Sequence, residues 1–162
     1  MKNKKILFVT QAAMIAAIYV VLGVVFAPFG TKAIQVRIAE ALTILPVFTS
    51  AAIPGIFVGC LLGNTLSGCI LPDVIFGSLA TLIGAVGTRR LGKIHPILGT
   101  LPPIIANIIV IPLVLRYGYG EPLPIPYMML TVGIGEVISC GLLGMILYAA
   151  LKPMRGKIFG SL

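Results

Sequence analysis

The stretch that decides the fold runs from Ile6 to Phe29 and reads ILFVTQAAMIAAIYVVLGVVFAPF, interrupted only by Thr10 and Gln11. It follows the basic start Met1-Lys-Asn-Lys-Lys5. A membrane-spanning helix needs about 20 apolar residues, whereas the apolar part of a signal peptide has about 7–15. The run therefore predicts a retained first transmembrane helix with the N-terminus inside.

The composition of the whole chain agrees with a membrane protein. Hydrophobic residues make up 59% of the 162 residues, charged residues only 10%, and the mean hydropathy is +1.13. A soluble domain is about 25% charged, so this chain lacks the charge to cover a water-exposed surface. A soluble enzyme and a disordered chain are excluded. A nucleic-acid-binding protein is excluded as well, because the net charge of +8 comes from short basic clusters between apolar runs.

Five further apolar runs follow the first, which ends near Ala27. The predicted spans are Ile38 to about Ser50, Pro54 to about Ser67, Pro72 to Arg90, Pro96 to about Leu115, and Tyr127 to Leu151. These six spans use the whole chain. We expect an all-α, polytopic membrane protein in which residues 1–162 form one domain.

The basic residues indicate the orientation in the membrane. The predicted inner segments hold nine, which are Lys2, Lys4, Lys5, Arg89, Arg90, Lys93, Lys152, Arg155 and Lys157. The predicted outer segments hold three, which are Lys32, Arg37 and Arg116. Since loops rich in Lys and Arg stay in the cytoplasm, both termini are predicted to be cytoplasmic.

Small residues recur at helical spacing in two of the predicted spans. Gly55, Gly59, Gly63 and Ser67 form a stripe that predicts close packing within the bundle. The first span carries two alanine registers, Ala12/Ala16 and Ala13/Ala17. Each register fits either packing inside the bundle or a surface for a partner helix.

Polar side chains inside apolar runs are the candidates for function, because they are costly at membrane depth. They are Gln35, Arg37, Glu40, Asn64, Asp73, Asn107 and Glu136. Glu136 lies about 13 Å along the sixth span with no basic neighbour in sequence, which favours a functional carboxylate. Arg37 and Glu40 are three residues apart and fit a mutual salt bridge, ligand contact, or both.

Two of the other candidates have simpler explanations. Asp73 compensates a helix dipole at the start of its span, and Tyr127 is typical of an interfacial aromatic belt, although a tyrosine there can stack on a flat ligand. Because all the candidates except Asn107 belong to the outer half, we expect an outward-facing polar pocket under the loop at residues 30–37.

Motifs for chemistry are missing from the sequence. There is no G-x-x-x-x-G-K-[ST] phosphate loop and no Ser-His-Asp or paired-aspartate arrangement, so neither ATP hydrolysis nor intramembrane hydrolysis is expected. Cys60, Cys69, Cys140 and His95 do not form a zinc motif. We expect a binding protein or transporter subunit without enzymatic activity, cofactor or metal.

Three segments resemble the QueT family, which comprises substrate-binding S components of energy-coupling factor (ECF) transporters assigned to queuosine precursors. They are Gln35-Val-Arg-Ile-Ala-Glu-Ala-Leu-Thr-Ile-Leu-Pro46, Asp73-Val-Ile-Phe-Gly-Ser-Leu-Ala-Thr-Leu82 and Ala16-Ala-Ile-Tyr-Val-Val-Leu22. The resemblance implies a multi-pass protein of the bacterial plasma membrane that works with a membrane T component and two cytoplasmic ATPases. It also implies that the alanines of the first helix contact the T component.

A 7-deazaguanine would suit the polar candidates chemically. A carboxylate can accept its paired N–H donors, and Gln35, Arg37, Asn64 or Asn107 can donate to its carbonyl and ring nitrogen. Glu136 and Glu40 are the expected acids, and an aminomethyl precursor would suit a second acid. Alternatives are an S component for another vitamin or nucleobase, or a self-sufficient small transporter.

Overall fold

The computed structural model describes residues 2–27 and 36–160, and every regular element in these ranges is helical. The main helices are α1 (Lys2–Val25), α2 (Ala52–Leu66), α3 (Leu71–Leu91), α4 (Pro96–Tyr117), α5 (Ile125–Glu136) and α6 (Gly144–Leu151). A 3₁₀ segment, Ile38–Val47, lies between α1 and α2, and a π-helical turn, Val137–Leu143, joins α5 to α6 in one rod. A 3₁₀ turn (Lys152–Met154) and α7 (Arg155–Ile158) follow. With the 3₁₀ segment taken as one segment and the α5–α6 rod as another, α1 to α6 form six helical segments. The predicted all-α fold is confirmed.

Four of the six segments are long and apolar enough to cross a membrane, and they lie at Lys4–Val25, Leu71–Leu91, Pro96–Tyr117 and Ile125–Ile158. The 15 residues of α2 extend about 22 Å, and the 10 residues of the 3₁₀ segment about 20 Å. Both are shorter than a hydrocarbon core of about 30 Å. The second and third predicted spans are therefore short rods, about two-thirds to three-quarters of that thickness.

The 3₁₀ segment occupies the centre of the bundle. Residues 39–46 are all buried, and the segment packs against α1, α2, α3, α4, α6 and the π turn. The apolar run predicted a membrane span here, but it did not predict that the segment would be a 3₁₀ helix, which is tighter than an α-helix. Pro46 near its end cannot donate a backbone hydrogen bond, which limits a regular α-helix at this point.

Close packing of α1 on α2 depends on the glycine stripe. A Cβ atom added to Gly55 would lie 2.7 Å from the carbonyl oxygen of Ala12, and one added to Gly59 would lie 2.7 Å from Cβ of Tyr19 and 3.1 Å from Cα of Ala16. The stripe therefore packs inside the bundle, as predicted, and it covers the Ala12/Ala16 register.

The α3–α4 pair uses glycine against proline. A Cβ atom on Gly84 would lie 2.7 Å from Cα of Pro103, and one on Gly87 would overlap Pro102. The helix α4 continues through both prolines. The two proline rings can approach the α3 backbone this closely because the two glycines carry no side chain.

The C-terminal segment closes the end of the bundle opposite the C-terminus of α1. The side-chain amide of Gln11 donates to the carbonyl oxygen of Phe159 over 3.2 Å, and Thr49 donates to Gln11 over 2.9 Å. The buried Phe159 ring stacks on Phe48 with centroids 5.3 Å apart. The beginning of α1 and the end of the described chain therefore share one end of the molecule. Which side of the membrane that end faces stays a prediction.

The glycine stripe yields a matched pair of substitutions. We expect Gly59→Ala to lower the free energy of unfolding by about 1–3 kcal/mol, because the added methyl group overpacks against α1. Gly23, which lies in α1, has nothing within 4 Å of an added Cβ atom, so Gly23→Ala is the control. It should be neutral or stabilising by up to about 1 kcal/mol, since alanine favours a helix. Thermal unfolding in detergent measures both, and equal midpoints for the two variants would contradict the packing.

Candidate substrate-binding site

A cavity of about 340 Å³ opens at the end of the bundle where α1, α2 and α4 finish and α3 begins. Its volume lies within the range of small-molecule sites, about 300–1,000 Å³. Leu22, Ile111 and Val114 are among its apolar walls. The polar and thiol side chains that line it are Tyr19, Arg37, Asn64, Ser67, Cys69, Asp73, Tyr119 and Glu121.

Arg37 and Asn64 form one polar wall of the cavity. Nη2 of Arg37 donates to Oδ1 of Asn64 over 2.6 Å, and the Asn64 amide faces Sγ of Cys60 at 3.7 Å. The backbone N–H of Arg37 donates to Oγ of Ser139 over 3.0 Å, which ties this wall to the π turn. The Arg37–Glu40 salt bridge, one of the alternatives that the sequence left open, is not formed among the described residues, because the Arg37 guanidinium bonds to Asn64 and the Glu40 carboxylate accepts from Tyr19.

Asp73 and Tyr119 form a second polar wall near the mouth. The Tyr119 hydroxyl donates to Oδ2 of Asp73 over 2.9 Å and faces the backbone N–H of Ile70 at 3.4 Å. Burial and this hydrogen bond raise the pKa of Tyr119 well above its usual value, so the phenol keeps its proton at physiological pH. Asp73 thus does more than compensate a helix dipole, since its carboxylate lines the cavity.

Beneath the cavity lies what we call the acid cluster, formed by Glu40, Glu136 and Cys140. Their exposed fractions are 0%, 2% and 1%, and one donor atom from each lies within 4.8 Å of the others. Glu40 comes from the 3₁₀ segment, Glu136 ends α5, and Cys140 lies in the π turn. The fold therefore brings together the two acids that the sequence singled out, from positions 96 residues apart.

Neutral donors surround the acid cluster. The Tyr19 hydroxyl donates to Oε1 of Glu40. The Cys140 thiol donates to Oε2 of Glu136 over 3.2 Å, and the buried Asn107 amide also hydrogen-bonds to Glu136. Oε2 of Glu40 has no hydrogen-bond partner. One carboxylate oxygen from each of Glu40 and Glu136 and Sγ of Cys140 lie close enough together to share one cation.

Tyr19 connects the cavity to the acid cluster. It lines the cavity, it is 1% exposed, and its hydroxyl binds Glu40. Sequence analysis did not single out Tyr19, although a polar-tipped aromatic residue on the same helix face as Gln11 and Ile15 was the available signal. It also missed Cys140, which lies one helical turn after Glu136, and Glu121 at the cavity wall.

The residues that the sequence predicted for the site occupy different places in the structure. Asn64, Arg37 and Asp73 line the cavity, whereas Glu40, Glu136 and Asn107 lie behind its wall. Tyr127 is 47% exposed at the start of α5 and does not line the cavity, which agrees with an interfacial position. Gln35 lies outside the described residues.

The alanines of α1 separate into a covered and an open register. Ala12 and Ala16 face the α2 glycines, whereas Ala13 and Ala17 are exposed. Only the second register is available to a partner.

A protein-family model described as QueT transporter matches the chain over residues 9–153. The match begins within α1 and contains the 3₁₀ segment and the helices α2 to α6 in full. No curated protein and no solved structure matches the chain.

Cys69 offers a native reporter of the cavity. Burial and the negative charge of Asp73 raise the pKa of its thiol. Because the thiolate is the reactive form, we expect Cys69 to react slowly with a methanethiosulfonate reagent at neutral pH and faster as the pH rises. Asp73→Asn should increase the rate at neutral pH by lowering that pKa.

A cysteine at the exposed Tyr117 position, in a Cys69→Ser background, is the control for reagent reactivity. Equal rates for Cys69 and this control at pH 7 would contradict the raised pKa. In intact cells, an impermeant reagent should reach Cys69 from outside and should not reach a cysteine introduced at Lys157.

Proposed function

We propose that this chain, which belongs to the QueT transporter family, is the substrate-capture S component of an ECF importer. Its substrate would be a 7-deazaguanine precursor of queuosine, captured from outside the bacterial plasma membrane. The observation that carries the proposal is the cavity of about 340 Å³ at one end of an all-helical membrane bundle. No phosphate-loop motif occurs in the sequence, so the energy for uptake would come from separate ATPases.

The orientation that we propose puts the cavity outside. Nine basic residues belong to the predicted inner segments, and among the described residues of the predicted outer segments only Arg37 and Arg116 are basic. This asymmetry favours cytoplasmic termini. A ligand would then enter between Val36 and the segment after α4, and Tyr119 would lie close to its path.

The polar walls suit the edges of a deazaguanine. Asp73 can accept its paired N–H groups, and Arg37 and Asn64 can donate to its carbonyl and ring nitrogen. Leu22, Ile111 and Val114 provide apolar surface for the flat ring. Glu40 and Glu136 would form the deeper end of the same site, reached past Tyr19.

The helix α1 is the natural surface for a membrane partner. Only 17% of its most apolar window is buried within the protein, compared with 39–50% for the other three long helices. Ala13 and Ala17 make part of this surface smooth, and small residues allow a neighbouring helix to approach closely. We propose that the T component packs here, and that the whole S component topples with its bound ligand during transport.

Glu136→Gln tests the contribution of the deeper acid to binding. The change keeps the side-chain shape and removes the charge, so affinity for the deazaguanine should fall by about 1.5–3 kcal/mol. That corresponds to roughly tenfold or more in Kd. Isothermal calorimetry on purified protein, after a screen of deazaguanines, purines and vitamins, provides the measurement.

Glu121→Gln is the matched control for charge removal. Glu121 is partly exposed at the cavity wall, so solvent screens it and a smaller loss is expected. Unchanged affinity in a folded Glu136→Gln variant would make Glu136 structural. Tight binding of a purine or vitamin with no binding of deazaguanines would assign another substrate. Uptake by the isolated chain in liposomes would instead indicate a self-sufficient transporter.

Bulky substitutions on α1 test whether ligand binding and assembly with the T component and ATPases use different surfaces. Ala13→Trp combined with Ala17→Trp should preserve ligand affinity and abolish co-purification with the T component and ATPases, because two indole rings would fill the smooth surface. Met14→Trp with Ile18→Trp is the control, since both side chains are already large and exposed. Normal assembly and uptake by the alanine variant would place the partner surface elsewhere. Ala12→Trp with Ala16→Trp should fail to fold, because that register packs on α2.

A further inference from the structure

The lysines at the start of α1 lie far from every acidic side chain of the protein. The chain has only four acidic residues, and all of them line the cavity or belong to the acid cluster beneath it. Lys5 lies 14 residues before Tyr19, the first residue of α1 that lines the cavity, which corresponds to about 21 Å of helix. Among the described residues, neither Lys4 nor Lys5 therefore has a carboxylate partner.

An open groove of about 400 Å³ lies beside these two lysines, and its lining residues are Lys4, Lys5, Phe8 and Val9. Two ammonium groups are thus followed, one helical turn later, by apolar surface. Phe8 and Val9 belong to the most apolar window of α1, of which only 17% is buried within the protein. The apolar part of the groove therefore faces the hydrocarbon of the membrane, and its charged part lies at the border with the headgroups.

The C-terminal segment packs beside the start of α1 and has the same mixed character. Its backbone accepts a hydrogen bond from Gln11 at Phe159, and a Cβ atom on Gly160 would lie 3.8 Å from Cδ2 of Leu7. Basic and apolar side chains follow one another along its exposed surface, at Lys152, Met154, Arg155, Lys157 and Ile158. Exposed basic residues interspersed with apolar ones are typical of a segment that lies at a membrane interface.

We infer that the groove at the start of α1 binds an anionic phospholipid. The lipid phosphate contacts Lys4 and Lys5, and an acyl chain lies along Phe8 and Val9. A soluble anion would use the two lysines and leave the apolar surface uncovered, whereas a lipid covers both. A zwitterionic lipid brings its own cation close to the lysines, so the groove favours a headgroup with net negative charge. The inference is independent of the molecule that the protein imports.

The test compares two lipids with identical acyl chains, phosphatidylglycerol and phosphatidylcholine. Native mass spectrometry of the purified full-length protein in a neutral detergent should show at least tenfold tighter binding of phosphatidylglycerol. Lys4→Gln combined with Lys5→Gln should weaken that binding about fivefold for each lysine and leave phosphatidylcholine unaffected. The charge-preserving pair Lys4→Arg and Lys5→Arg should retain the preference.

A matched control removes the same charge outside the groove. Arg90→Gln combined with Lys93→Gln changes two exposed cations that do not line the groove, so the preference for phosphatidylglycerol should stay unchanged. An equal loss in this control would mean that net charge alone attracts the lipid, which overturns the inference.

Two further results would assign the groove to another occupant and thereby overturn the inference. The first is displacement of phosphatidylglycerol by glycerol phosphate at the same concentration, because a soluble phosphate would then be sufficient. The second is lost co-purification of the T component and ATPases with the Lys4→Gln and Lys5→Gln variant while its lipid preference stays normal, because the groove would then be a protein contact. Equal binding of both lipids by the unmodified protein also overturns the inference and leaves the proposed function standing.

Discussion

In a membrane, every buried polar group needs a partner inside the protein, and the ten residues Ile38–Val47 are where this constraint is most demanding. The segment lies at the centre of the bundle in the tight 3₁₀ form and touches nearly every other rod. It also carries Glu40 into the interior. The Thr43 hydroxyl donates to the carbonyl oxygen of Glu40 over 2.6 Å, so the segment satisfies part of its own backbone. Arg37, which directly precedes the segment, forms one polar wall of the cavity together with Asn64.

The two short rods, α2 and the 3₁₀ segment, explain how a polar cavity forms at one end of an apolar bundle. Because α2 and the 3₁₀ segment are shorter than their neighbours, they leave space between the ends of α1, α3 and α4. Glycines 55 and 59 let α1 approach α2 along its length, and glycines 84 and 87 do the same for α3 and the prolines of α4. These glycines hold α1 close to α2 and α3 close to α4. The cavity opens at the end of the bundle where α1, α2 and α4 finish, and polar side chains line it there.

Charge is distributed in a way that fits the capture of a small polar molecule. The chain has only four acidic residues; two line the cavity and two lie in the acid cluster just behind it. Basic residues are concentrated in the segments that are predicted to be cytoplasmic, so the overall charge of +8 says little about the site itself. A π turn follows Glu136 directly and contains Cys140. Such wide turns are frequent at functional sites, and this one widens the helix at the acid cluster.

The sequence by itself determined the all-helical membrane fold, because long apolar runs and their basic borders are local features that tertiary contacts do not override. It also singled out Glu40, Glu136, Asn64 and Asp73 as candidate binding residues, because a polar side chain inside an apolar run is visible without coordinates. Only the tertiary structure showed that the Ala12/Ala16 register is covered and that Arg37 bonds to Asn64 rather than to Glu40. It also revealed Tyr19 and Cys140 as partners of the acids. These features depend on which helix faces meet across long separations in sequence, and periodicity alone cannot specify that.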